Sequence, residues 1–287
     1  MSDYNTIQQS AMLASLTLRR WGNSKFDKKA SADVAASSGA SPEFARVTKT
    51  LLSKDFIDPI NKLMNSARSA FYEGTLPWTD NGWRLLPTTK FLEIKQAVGQ
   101  AEADLDQMLN KQLVDYAWQV QQAQRELGSL FDPDDYPSTA DIKARYAIVL
   151  QVMPVPCAED FRLSMAGDVA DAIREQAQAQ FAANASRSMQ HVWQSFGELL
   201  TTVHERLASG DPKTRFTSIF PNLLEMVDDL DKLNVADDPN VRRLQAEARK
   251  RLLALHDPAA LKKDPAARAA AVADTQALID DFEGMWG

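Results

Sequence analysis

Two long stretches of nearly unbroken helical periodicity constrain this chain more than any other feature. From Phe91 the apolar positions run Ile94, Val98, Ala101, Leu105, Met108, Leu109, Leu113, Tyr116, Val120, Ala123 and Leu127, an alternation of threes and fours that predicts one amphipathic helix. At ~1.5 Å per residue it spans roughly 54 Å, more than the diameter of a small domain. A second stripe runs Val169, Ile173, Ala177, Phe181, Ala185, Met189, Val192, Phe196, Leu199, Leu200, Val203 and Leu207, closing at Ser209-Gly210, where glycine can take a left-handed cap. Ala177 and Ala185 on this stripe permit close approach of a neighbouring helix. Two such helices pack most simply as a long antiparallel hairpin or within a bundle, with residues 129–167 connecting them. The expected class is therefore mainly α, with a small β element and a C-terminal set of shorter helices.

Punctuation places the remaining elements. Ser41-Pro42 reads as a cap and first helical residue of a helix carrying Phe44, Val47, Leu51, Leu52, Ile60, Leu63 and Phe71, kinked or restarted at Asp58-Pro59. Asp211-Pro212, Asp238-Pro239, Asp257-Pro258 and Asp264-Pro265 each set a capping carboxylate before proline and predict helices over about 218–234, 239–256 and 265–284. Leu13–Leu18 and the β-branched run 146–153, closed by Pro154, read as short strands. In residues 75–87, Asn81-Gly82 lies between arms bearing Trp78 and Trp83, the chemistry of a tight hairpin. Residues 21–40 are small and polar enough for a loop or mobile arm. Three segments follow: a basic N-terminal arm with a short strand (1–40), a long-helix hairpin or bundle with the Trp hairpin and a strand (41–210), and a C-terminal helical subdomain (211–287).

Several chemistries are missing their parts. No glycine precedes lysine, so the phosphate-cradling P-loop is absent, as is G-x-G-x-x-G. His191, His204 and His256 form no H-E-x-x-H pattern and no Glu-x-x-His pair, and the spacing of thirteen between the first two puts them on different sides of one helix. Glu102, Asp104 and Asp106 read as a hydrated helix face. The lone Cys157 excludes an internal disulfide and a multi-cysteine zinc site, and has no nearby histidine to serve as its base. No apolar run reaches the ~20 residues of a membrane helix, and the first residues lack the basic-then-apolar order of a secretory signal. A cytoplasmic protein that uses no membrane, metal or cofactor is expected.

The net charge of −7 is unevenly spread: residues 1–70 carry ten Lys+Arg against six Asp+Glu, leaving −11 for the rest. Within the basic part, Arg19, Arg20, Trp21, Lys25, Lys28 and Lys29 form a basic-aromatic cluster. Trp78, Trp83 and Arg84 form a second candidate site, since exposed aromatic plus arginine is the composition of a protein hot spot and of a base-stacking platform. The same rings could equally cap the end of the helical bundle. The acidic C-terminal run 278–286 reads as a docked helix in preference to a free tail.

The blocks WGNSKFDKK, TLPWTDNGWRLLP, AIVLQVMPVPCAEDFRL and LNVADDPNVRRL resemble an uncharacterised family of proteins encoded by tailed bacteriophages and prophages. The resemblance implies expression in a host cytoplasm and assigns no functional residue. The sequence reading is thus a non-enzymatic helical assembly or adaptor protein, acting on a protein partner and by self-association. Its alternative is a single-stranded nucleic-acid-binding protein that uses the basic N-terminal segment and the Trp hairpin. An enzyme whose site is assembled only in three dimensions stands third.

Overall fold

A computed structural model describes residues 2–156, 168–209, 216–254 and 264–286. Cys157, Gly210, His256 and the Asp-Pro pairs at 211 and 257 lie outside the described residues. In chain order the elements are α1 Ser2–Ser10, β1 Ala11–Arg19, β2 Ser24–Asp27, α2 Lys28–Ser38, β3 Val47–Thr50, α3 Lys54–Glu73, β4 Leu76–Pro77 and β5 Arg84–Pro87. There follow α4 Phe91–Val114, α5 Tyr116–Leu127, α6 Thr139–Arg145, β6 Ala147–Pro154, α7 Asp168–Ala208, α8 Phe216–Leu233, α9 Pro239–Ala254 and α10 Pro265–Trp286. The protein is mainly helical with a small antiparallel sheet. Its strand order is β4-β5-β1-β6, and β2 and β3 form a separate two-stranded ribbon.

The chain folds into two compact units that interleave in sequence: residues 1–15, 73–92 and 152–287 form the first, 16–72 and 93–151 the second. This differs from the three consecutive segments read from the sequence. Helix α4 belongs to the second unit and α7 to the first, so the chain does not divide at 40 and 210.

In the first unit the predicted stripe of α7 is the core. Phe181, Val192, Phe196, Leu200, Val203 and Leu207 are buried with Val227 and Leu230 of α8, Val241, Leu244 and Ala248 of α9, and Ala271 and Leu278 of α10. His204 Nδ1 lies 3.1 Å from Thr275 Oγ1, and the Phe196 and Phe282 rings are 6.0 Å apart, so one index falls as the other rises and α7 runs antiparallel to α10. Gly197 makes the crossing close: a Cβ there would stand 2.9 Å from the Phe282 ring. Gln245 Nε2 donates to Val227 O at 3.0 Å and Arg242 reaches Asp231, which sets α9 antiparallel to α8. Asn234 closes the turn between them, donating to Asp238 O and accepting from Asp238 N. Asp238 and Asp264 accept from the backbone N–H groups of Asn240 and Ala266, the capping role read from the Asp-Pro pairs. These C-terminal helices match the expected spans within about two residues, the ordinary uncertainty of helix ends.

The second unit departs more from the sequence reading. The expected helix over 91–127 breaks at Asp115, whose φ of −92° and ψ of 6° tighten the chain into a turn, with Asp115 N donating to Gln112 O. The break turns Tyr116 inward, where its hydroxyl donates to Pro137 O at 2.9 Å and its ring meets Phe56. The helix expected from Ser41 begins only at Lys54, with Pro59 inside its second turn. Val47–Thr50 instead pairs with Ser24–Asp27, and Ser31 Oγ accepts from Val47 N to fix the start of that strand. Residues 21–40 are therefore a strand and a capped helix, contrary to the arm expected: Asp27 accepts from Ala30 N at the start of α2, and Gly39 at φ 62° ends it.

Candidate functional site

The Trp hairpin forms as the sequence predicts, but it does not project. Leu76 pairs with Leu85 and Pro77 with Arg84, Gly82 supplies the positive φ of the turn, and Thr79 N donates to Trp83 O at 3.0 Å. Trp78 is only 4% exposed, edge-on to Phe181 of α7 with centroids 5.1 Å apart, and Trp83 packs against the same core. Ser188 of α7 donates to Pro77 O at 2.6 Å and Arg187 pairs with Asp80 at 2.9 Å, so the hairpin is strapped along α7. Arg84 spends its guanidinium on Thr75, with Nε to the hydroxyl and Nη2 to the carbonyl, both at 2.7 Å. The rings thus cap the core, and the reading of Trp78, Trp83 and Arg84 as projecting anchors is corrected. A large apolar ring beside an apolar helix stripe is better satisfied buried than wet. Desolvation, with the Arg84 charge beside it, outweighs the pull of Glu198 and holds His191 below its ordinary range.

The N-terminal cluster is likewise divided by the fold. Trp21 is buried, and Arg20 donates to Asn61 and Asn65 of α3. Lys25 pairs with Asp135, while Arg19, Lys28 and Lys29 are exposed. Lys25 belongs to a charge cluster that sequence reasoning missed. Lys49, buried in β3, lies 2.8 Å from Asp135 and 3.5 Å from Asp27 and donates to Leu130 O. Burial pushes the Asp135 carboxyl up, but Lys25 and Lys49 outweigh it and hold the group below the usual carboxylate range. Asp27 is lowered by the Ala30 N–H and again by Lys49, and Lys49 is raised by its bond to Asp135 against the opposing effect of burial.

The large rings that do face solvent lie elsewhere. Among the described residues these are Phe26, Phe44, Tyr72 and Trp118, all in the second unit. Trp118 is 56% exposed on α5, and Val114, the last residue of α4, is 80% exposed. The signal that points to Trp118 is its position: it falls off the apolar stripe that runs through Tyr116 and Val120, so a helix that buries the stripe leaves the indole outside.

The same unit carries a groove of about 530 Å³ between α4, α6 and the start of β6. Leu105, Leu109 and Ile148 floor it, and Ala140, Ala144 and Ala147 leave its space open. Lys143 crosses the rim to Asp106 at 2.7 Å and Asn110 at 2.9 Å, and the lysine bond holds the Asp106 carboxyl below its ordinary value. Lys143 and Asp106 thus satisfy each other as an ion pair, and Glu102 completes the polar rim.

No protein family, curated protein or solved structure matches the chain, so the functional reading rests on its own residues. Among the described residues, no helix is long and apolar enough to cross a membrane and no cluster of three His, Cys, Asp or Glu could hold a metal ion.

Proposed function

We propose that the protein is a non-enzymatic assembly or adaptor protein, acting on a protein partner and on itself through the second unit. The observation that carries this reading is the exposure of Val114 and Trp118: two large apolar side chains left in water on either side of the Asp115 break, where a globular chain gains by covering them. The apolar-floored groove on the same unit favours the same class of partner, since its volume accommodates a protruding side chain. In this reading α7 to α10 act as an antiparallel bundle that keeps the scaffold rigid, and the resemblance to tailed-phage proteins makes the host cytoplasm the compartment in which to seek the partner.

Light scattering coupled to gel filtration tests the self-association half. Wild-type protein is expected to run as an oligomer that Val114→Asp converts to monomer at unchanged helicity. A wild-type monomer that also captures no partner contradicts the reading. The nucleic-acid alternative loses its Trp hairpin, because those rings are in the core.

A further inference from the structure

We infer that the outer face of the β2–β3 ribbon is a contact site for single-stranded nucleic acid, a surface distinct from that of Val114 and Trp118. The strand register carries the argument. Ser24 pairs with Thr50, Lys25 with Lys49, Phe26 with Thr48 and Asp27 with Val47. Because side chains alternate across a strand, Lys25 and Lys49 share one face, and both are held there by Asp135. The opposite face then presents Ser24, Phe26, Thr48 and Thr50, all exposed. The two lysines on the buried Asp135 anchor the ribbon from behind and leave this face in water.

What it displays is matched to an unpaired nucleotide strand. Phe26, 43% exposed, carries the Arg46 guanidinium 4.8 Å from its ring centroid, a stacked pair that offers a flat surface to one more π system. The hydroxyls of Ser24, Thr48 and Thr50 lie alongside as donors and acceptors for sugar and phosphate oxygens. Lys28 and Lys29 follow directly where β2 enters α2, and both are exposed. Asp27 is drawn away from the patch, capping α2 and facing Lys49. Lys28, Lys29 and Arg46 outnumber the exposed acids Asp33 and Glu43 of this segment. A protein partner would call for contiguous apolar area, and within the ribbon this face has one ring among hydroxyls. A duplex keeps its bases stacked and offers the Phe26–Arg46 pair no free π-face, so the single strand is the form that fits.

Three cations imply modest, salt-sensitive affinity, with a slope of log K against log salt near about −2 for a single strand. The test is fluorescence anisotropy with a labelled thymidine oligonucleotide of about 12 nucleotides at about 50 mM salt, against the corresponding duplex. Wild type is expected to bind the single strand and to prefer it. Phe26→Ala and Phe26→Leu are expected to weaken binding about tenfold or more with the melting temperature unchanged, and Arg46→Ala to flatten the salt slope by about 0.7. Val114→Asp is expected to bind like wild type, which separates this site from the association face. Absence of wild-type binding, equal affinity for the duplex, or a Phe26→Leu variant that binds like wild type overturns the inference.

Discussion

In the unit built on α7, among the described residues, Trp78, Phe181, Trp193 and Phe196 are buried in one cluster, with Phe282 packed against it. In the unit built on α3, α4 and the ribbon, a buried lysine and aspartate tie the strands, while Phe26, Phe44, Tyr72 and Trp118 stand in water. Apolar burial and a specific ion pair thus stabilise the two units by different means. Apolar stripes that recur along one helix need no particular partner, only another apolar surface. A buried charge needs a specific opposite charge at a specific distance, and it ties down a ribbon too small to have a core of its own.

The contrast breaks most visibly in the first unit. Phe196→Ala or Trp78→Ala removes a fully packed ring and is expected to cost about 3–5 kcal/mol, read as a drop of several degrees or more in the calorimetric transition. A Trp78→Ala protein that melts like wild type would return the hairpin to the surface. Next in size, Lys49→Met leaves the buried Asp135 carboxylate with Lys25 alone and is expected to cost about 1–3 kcal/mol. Lys49→Met combined with Asp135→Leu is expected to recover part of that loss, since an apolar pair of similar volume leaves no buried charge unpaired. A strictly additive double variant would show that the two side chains are not coupled.

Acid sharpens the comparison with a smaller effect. Asp27 and Asp135 titrate below the ordinary carboxylate value in the folded protein, so their contribution is complete above that value and is lost as pH falls through their depressed folded values. Lys49 is raised, so its contribution is complete below the ordinary lysine value and is lost as pH climbs through its raised one. Amide hydrogen exchange at mildly acidic and then strongly acidic pH is expected to show Val47–Thr50 losing protection while α7 keeps it. Equal loss in both would remove the cluster as the tie.

Legibility in the sequence follows the same division. The stripe of α7 and the Asp-Pro caps of α9 and α10 are local signals, and both elements lie where they were expected. The β2–β3 ribbon carries no readable alternation because the residues that face Asp135 are Lys25 and Lys49, and that aspartate is 110 positions beyond Lys25. The break at Asp115 is not encoded in the apolar periodicity, which runs on through Tyr116 and Val120 as if the helix continued. The hairpin chemistry of 75–87 was legible, but the burial of Trp78 was set by Phe181 on a distant helix. Trp118 and Phe26, which carry the proposed surfaces, escaped notice because each stands outside an apolar pattern.

Trp118→Ala separates the fold-holding rings of the first unit from the contacts we propose for exposed side chains of the second. Sedimentation velocity and thermal melting of this variant beside wild type give the answer in one comparison. The account predicts an oligomer for wild type, a monomer or markedly weaker oligomer for Trp118→Ala, and stabilities within about 0.5 kcal/mol of each other. A variant that sediments as wild type does, or one that loses several kcal/mol of stability, would contradict it.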